Sequence, residues 1–207
     1  MLVSDAHRFL FVHVQKTGGV SVEHLVRSHL PEVRGIDGLT RHARLGQILA
    51  AEPDLVDYWT VGFVRNPWAR LVSWYGMVQR FRRLAEQGRP KAQRFLAGEG
   101  FMARVARDYA DFDAFVLRGP DDWPRLRTPQ VAYLTAEGRT ADFVGRTESF
   151  DADVRTVMVR LGLSDQAPIP RDNAAPPRDY RRDYSPLTRD RVAEVFAADL
   201  RAFDYTF

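Results

Sequence analysis

The sequence predicts an α/β domain with parallel strands at its centre, and two stretches carry that reading. Residues 8–14 hold a short apolar, partly β-branched run, Phe9-Leu10-Phe11-Val12-His13-Val14, of the kind that forms a buried strand. It stops at Gln15-Lys16-Thr17-Gly18-Gly19, and a helical pattern follows with Val22, Leu25, Val26 and Leu30 on one face, ended by Pro31. Residues 59–65, Trp59-Thr60-Val61-Gly62-Phe63-Val64-Arg65, repeat the theme. Asn66-Pro67 breaks that run, and Pro67 sits near the first position of a helix whose core stripe is Leu71, Val72, Trp74, Tyr75 and Val78. Two successive strand–loop–helix units call for parallel strands with helices laid on the sheet. A chain of 207 residues fits a single domain, 1–207, with enough length to bury a core.

The remaining elements follow in order. Residues 31–42 read as loop, and 42–52 as a helix with Leu45, Ile48 and Leu49 as its apolar face. Residues 82–100 carry Gly88, Pro90, Gly98 and Gly100 among many charges, which predicts an exposed, mobile insertion. A helix is expected over 101–117. A strand over 131–134, a turn at 136–139 and a strand over 141–144 come next, then a helix over 151–161. Residues 168–177 hold four prolines and read as loop. Ser185-Pro186 supplies an N-cap and a first-turn proline for a helix running to about Leu200.

Composition excludes several classes. Hydrophobic residues at 45% and charged residues at 28% are those of a globular chain. No run approaches the ~18–20 apolar residues of a membrane helix. The N-terminal residues lack the basic and apolar regions of an export signal, so a cytoplasmic protein is expected. With no cysteine there is no disulfide, thiolate metal site or thiol nucleophile. The net charge is +3 and the basic residues are scattered, which argues against nucleic acid as a partner. Of 30 basic residues only Lys16 and Lys91 are lysine; in so arginine-biased a chain, a lysine kept in a glycine loop stands out.

That loop is the first chemical motif. Lys16-Thr17-Gly18-Gly19-Val20-Ser21 joins a strand to a helix. Backbone N–H groups at a helix N-terminus, approachable because of the glycines, suit a phosphate or sulfate, and a lysine and two hydroxyls add donors. It is not a Walker A loop, in which the lysine follows the last glycine. The bland alternative is an ordinary strand-to-helix turn with a surface lysine. The second motif is Arg65-Asn66-Pro67-Trp68-Ala69-Arg70-Leu71-Val72-Ser73. Arg65 stands at the C-terminal end of a strand, where open α/β sheets bind ligands, and can grip a phosphate with two N–H groups while Ser73 offers a hydroxyl. Arg70 is a second candidate, with a solvated helix position as its alternative reading.

Taken together, the two motifs resemble the sulfotransferases that use 3′-phosphoadenosine 5′-phosphosulfate (PAPS), in the branch holding heparan-sulfate 2-O-sulfotransferases and bacterial relatives. That branch ends one strand in a PKTGGTS-like loop and a second in RNPxxRLVSxY; here the second reads on through Trp74-Tyr75. Phe143-Val144-Gly145-Arg146-Thr147-Glu148-Ser149-Phe150 is similar to its FVGRxExF segment, and Phe203-Asp204-Tyr205-Thr206-Phe207 to its closing FGYxF. Gln15 replaces the usual proline and Val20 the second threonine, which loses one hydroxyl. Asn173 is followed by Ala174-Ala175 where the family often has a serine, which removes a C-terminal hydroxyl contact.

The resemblance implies a P-loop-like three-layer sandwich, a central parallel sheet flanked by helices. It implies that residues 16–21 hold the 5′-phosphosulfate, that Arg65 and Ser73 hold the 3′-phosphate, and that Lys16 steadies charge on the departing phosphate. No metal is expected. The acceptor is a hydroxyl of a sugar or small metabolite. Sulfuryl transfer also needs a base for the hydroxyl proton, and neutral histidine suits it. His13 lies within the strand pattern, His24 and His29 in the first helix, and His7 in a frayed N-terminus. His42 opens a helix 23 residues before Arg65, an interval similar to that of the branch's catalytic histidine, so His42 is the expected base and Glu23 the fallback. A nucleotide-dependent phosphotransferase and a non-catalytic nucleotide-binding domain are the rival readings.

Overall fold

The computed structural model describes residues 1–164, 166–170, 172 and 178–207. The chain forms two compact units, Met1–Asn66 with Pro129–Pro176, and Pro67–Thr128 with Pro177–Phe207. In chain order the elements are β1 (Leu2–Ser4), β2 (Phe9–Val12), α1 (Gly19–His29), α2 (Leu45–Ala51), β3 (Trp59–Val64), α3 (Pro67–Glu86), α4 (Pro90–Ala97), α5 (Phe101–Asp108), α6 (Phe112–Asp122), α7 (Pro124–Arg127), α8 (Val131–Leu134), β4 (Thr135–Ala136), β5 (Arg139–Thr140), β6 (Phe143–Arg146), α9 (Phe150–Arg160), α10 (Pro186–Val195) and α11 (Ala197–Phe203). Among the described residues no helix is long and apolar enough to cross a membrane.

The first unit contains the sheet, in the order β1-β2-β3-β6. β2, β3 and β6 run parallel, with Phe11 opposite Val61 and Val61 opposite Phe143, so their C-terminal ends leave the same edge. Side chains alternate across a sheet. Phe9, Phe11, Val61 and Phe63 therefore share one face and pack with Val22, Leu25 and Val26 of α1 and with Val154, Val157 and Met158 of α9. On the other face Leu134 of α8 lies over Gly62, where a Cβ would overlap it. α2, with Leu45 and Ile48 fully buried, packs against α8. The layers are helix, sheet, helix, as an α/β sandwich requires.

The second unit is helical. Trp68, Leu71, Trp74 and Val78 of α3 join Phe101, Val105, Phe115 and Phe196 in one core. The chain's last residue, Phe207, sets its ring 5.3 Å from that of Trp68, whose indole N–H donates to the Arg189 carbonyl at 3.0 Å. The last aromatic residue of the closing motif thus packs on this core.

Several expectations are corrected. The N-terminal residues are not frayed: β1 pairs antiparallel with β2, with Leu2 and Val3 fully buried, and His7 lies in the connecting turn, its Nδ1 3.0 Å from the Ser4 hydroxyl. The expected helix over 42–52 begins only at Leu45, so His42 stands in the loop before it. The 82–100 insertion is exposed over much of its length but mostly helical, since α3 runs on to Glu86 and α4 follows the turn at Gly88. The helix expected over 101–117 is broken at 109–111, because Asp111 caps a new helix by accepting from the Ala114 N–H at 2.8 Å. The last helix breaks at Phe196, where the backbone leaves helical geometry.

The strand expected at 131–134 is the helical turn α8. Tyr133 and Leu134 are both buried although adjacent, which a strand facing one core does not allow, and the Thr135 hydroxyl closes the turn on the Val131 carbonyl at 3.0 Å. The β pairing moves on to β4 and β5, joined by Glu137-Gly138, both at positive φ, the geometry of a tight two-residue hairpin. Of the expected 168–177 loop, residues 168–170 carry no helix or strand. The Asn173-Ala174-Ala175 departure lies outside the described residues.

Candidate functional site

The loop after β2 is shaped by two left-handed residues, Lys16 at φ 70° and Gly18 at φ 78°. For glycine that conformation is free; for lysine it is strained by about 1–3 kcal/mol, the kind of strain that concentrates at functional sites. Thr17 is fully buried and its hydroxyl donates to the Val14 carbonyl at 2.9 Å, so its hydroxyl proton holds the loop. The Ser21 hydroxyl is buried and accepts from the Asp172 N–H at 2.9 Å, which leaves its own proton to donate. α1 starts at Gly19 with Gly18 as a cap that has no side chain, so no side chain closes off the first-turn N–H groups. Val20 is exposed at this helix start. The arrangement offers a lysine and main-chain donors to an anion.

Both glycines are required by packing. A Cβ on Gly18 would meet the Phe150 ring, and one on Gly19 would overlap the His13 imidazole. His13 is buried and its ring is held by Glu23. Gly19→Ala is accordingly expected to cost about 1–3 kcal/mol by overpacking. Chemical denaturation checks this: the midpoint should fall while the denaturant slope stays unchanged.

Beside the loop is a cluster that reaches across the sequence. His13 Nδ1 lies 2.7 Å from Glu23 Oε1. Arg41 donates to Glu23 Oε2, and the Met1 amine lies 3.8 Å from Oε1. The His42 ring stands edge-on to the His13 ring with centroids 4.5 Å apart, and its Nδ1 lies 3.0 Å from the His13 carbonyl oxygen. A carbonyl only accepts, so Nδ1 carries the proton and Nε2 of neutral His42 is left with a lone pair. Burial pushes His42 down to about 4, only partly opposed by the His13 carbonyl, so the ring is neutral near pH 7. Burial likewise holds His13 below the usual histidine range despite its hydrogen bond to Glu23. Burial raises the Glu23 carboxyl, but the His13 hydrogen bond and the charges of His13 and Arg41 outweigh it and keep it below the usual range. With both oxygens engaged, Glu23 is a poorer proton acceptor than the free Nε2 of His42.

Arg65 follows the last residue of β3, and its main chain is clamped. The buried Gln130 accepts the Arg65 N–H at 2.9 Å and donates to the Arg65 carbonyl at 2.8 Å. Glu148 accepts the Asn66 N–H at 2.7 Å, and Asp153 accepts that of Arg146 at 2.7 Å. The segment 143–150 therefore supports two loops at once. A Cβ on Gly145 would strike Phe63, Glu148 holds Asn66, and Phe150 sits beneath Gly18.

The structure thus gathers residues 16–21 and His42 in the first unit, with Arg65 leaving the same sheet edge. Ser73 lies in the second unit, half-buried on the second turn of α3. Arg70 is not solvated: it is almost wholly buried in that unit, with its guanidinium 3.4 Å from the Thr128 carbonyl. Tyr75, Trp74 and Trp123 belong to the second core, where Trp74 and Trp123 flank Phe101 at 5.1 and 5.2 Å. Sequence reasoning missed the joint role of His13, Glu23 and Arg41, and missed Gln130 altogether. A polar His13 inside an apolar run, with an acidic residue one turn into the next helix, was the only signal for the pair.

The model of a protein family described as the sulfotransferase family matches residues 1–206. No curated protein and no solved structure matches the chain.

Proposed function

The chain belongs to the sulfotransferase family, and on that footing we propose that it moves the sulfuryl group of PAPS to a hydroxyl of a carbohydrate or small-molecule acceptor. One observation carries the reading: an uncapped helix start with a strained lysine stands next to a neutral histidine whose tautomer is fixed. The donor set of lysine, arginine and main-chain N–H groups suits an anion bearing two phosphate positions.

The bound donor supplies a sulfuryl group on a phosphate leaving group. The N–H groups of Gly18, Gly19 and Val20 hold the 5′ end, with Lys16 placed to neutralise charge as it gathers on the departing oxygen. Arg65, its backbone fixed by Gln130, grips the 3′-phosphate. Ser73 is proposed as a further phosphate donor on the motif alone. His42 takes the acceptor's proton at Nε2 as the new oxygen–sulfur bond forms, and His13 keeps Nδ1 protonated throughout. Positioning and electrostatics do most of the catalysis, as in phosphoryl transfer.

The test is binding. 3′-Phosphoadenosine 5′-phosphate (PAP) is expected to bind at least tenfold to a hundredfold more tightly than 5′-AMP, because charge-assisted hydrogen bonds to the 3′-phosphate contribute ~1.5–3 kcal/mol each. Arg65→Ala should erase most of the difference in calorimetry. Equal affinities for PAP and AMP in the parent protein would remove the 3′-phosphate assignment.

A further inference from the structure

Glu23 sits on α1, and both of its oxygens are taken by groups from different parts of the chain. Oε1 accepts from the ring of His13, at the exit of β2; Oε2 accepts from Arg41, the residue before His42. His13 in turn does two things: its ring fills the space above Gly19, and its carbonyl holds Nδ1 of His42. One carboxylate therefore ties the anion loop and the histidine-bearing loop to the same helix, and nothing in the reaction itself uses it. We propose that Glu23 is a positioning residue, a tie that fixes the tautomer and direction of His42 against the loop 16–21 through His13 and Arg41. The inference rests on the reading of His42 as the base.

The chemistry of the tie is specific. A glutamine at 23 still accepts from His13 with its amide oxygen, but its NH2 cannot accept from Arg41, so one of two arms survives. An alanine loses both and leaves the buried His13 N–H without its acceptor. The expected order of turnover is therefore parent, Glu23→Gln, Glu23→Ala. A misplacement of about 1 Å at a reacting group lowers rate by roughly a hundredfold, and Glu23→Ala should lose about that much in kcat with PAP affinity within threefold of the parent.

The readout that a merely structural role would not move is the state of His42 in the free protein. Long-range nitrogen–proton NMR spectra should show His42 as a single Nδ1–H tautomer in the parent and a mixture with Nε2–H in Glu23→Ala. Arg41→Gln, which removes one arm from a half-exposed side chain, should show a smaller change of the same kind and keeps the test open if Glu23→Ala does not fold. Unchanged kcat and tautomer in the folded variants overturn the proposal. So does a Glu23→Gln variant as inactive as His42→Ala, which would make Glu23 the base. Loss of PAP binding in step with turnover would also overturn it, since the tie would then serve the loop alone. If His42→Ala itself retains turnover, the reading of His42 fails first; if His42→Ala is inactive while the Glu23 variants match the parent, only the tie fails.

Discussion

Replacing His42 by alanine is expected to cut turnover by ~10²–10⁴-fold, the usual worth of a positioned general base, while PAP still binds and the protein stays folded. The side chain is half-buried in a loop and its Nδ1 meets a main-chain carbonyl at 3.0 Å, so its removal leaves no charge unpaired. The accompanying pH profile differs from that of an ordinary histidine. Only neutral imidazole accepts a proton, and burial holds this one down to about 4, so activity is lost as pH falls through about 4 rather than through 6.5. Above roughly pH 5 the rate should be flat with respect to this group. An anion bound nearby favours the protonated ring, so the acid limb of kcat should stand at higher pH than that of kcat/KM, which reports the free enzyme. Turnover within twofold of the parent in His42→Ala would remove the assignment.

Lys16→Ala is expected to lower kcat by ~10²–10³-fold, the scale on which single donors to a developing oxyanion act, with a much smaller change in PAP affinity. Lys16 is also left-handed at φ 70°, which provides a control. Lys16→Gly relieves the strain and should be more stable than Lys16→Ala by about 1 kcal/mol, yet equally inactive. Lys16→Arg should rescue only in part, since the guanidinium is planar and longer. Thermal melts and single-turnover rates on the three variants separate the backbone from the charge. If Lys16→Ala weakened PAP binding as much as turnover, the lysine would be a ground-state clamp.

The strand–loop–helix units were legible because their signals are local: an apolar run, a glycine turn and a helical stripe within a few residues of each other. The same locality exposed Lys16 to Ser21 and Arg65, since a residue at the end of a buried strand is placed by the strand alone. Elements settled by partners far along the chain were not legible. The run from Val131 to Leu134 has strand-like composition, but a turn of helix lets Leu134 cover Gly62. β1 is three residues long and exists because β2 offers it an edge. His42 was reached through the interval to Arg65 in a resembling family, yet the tautomer of its ring is set by a carbonyl 29 residues earlier. Gln130 holds Arg65 from 65 residues away, and no pattern in the sequence announces it.

Residues 143–150 act as a strut for the two loops that leave β2 and β3. Its glycine, carboxylate and terminal ring brace the backbone behind Arg65 and beneath Gly18 from within the sheet's own fabric. Loops usually open at lower free energy than the strands they join and must be ordered by whatever they bind. Here opening either loop means disturbing β6 and the rings of Phe63 and Phe150, 5.5 Å apart. If these amides receive the nucleotide as proposed, they are held in place beforehand, and the entropy of ordering them is met when the chain folds rather than at each round of binding.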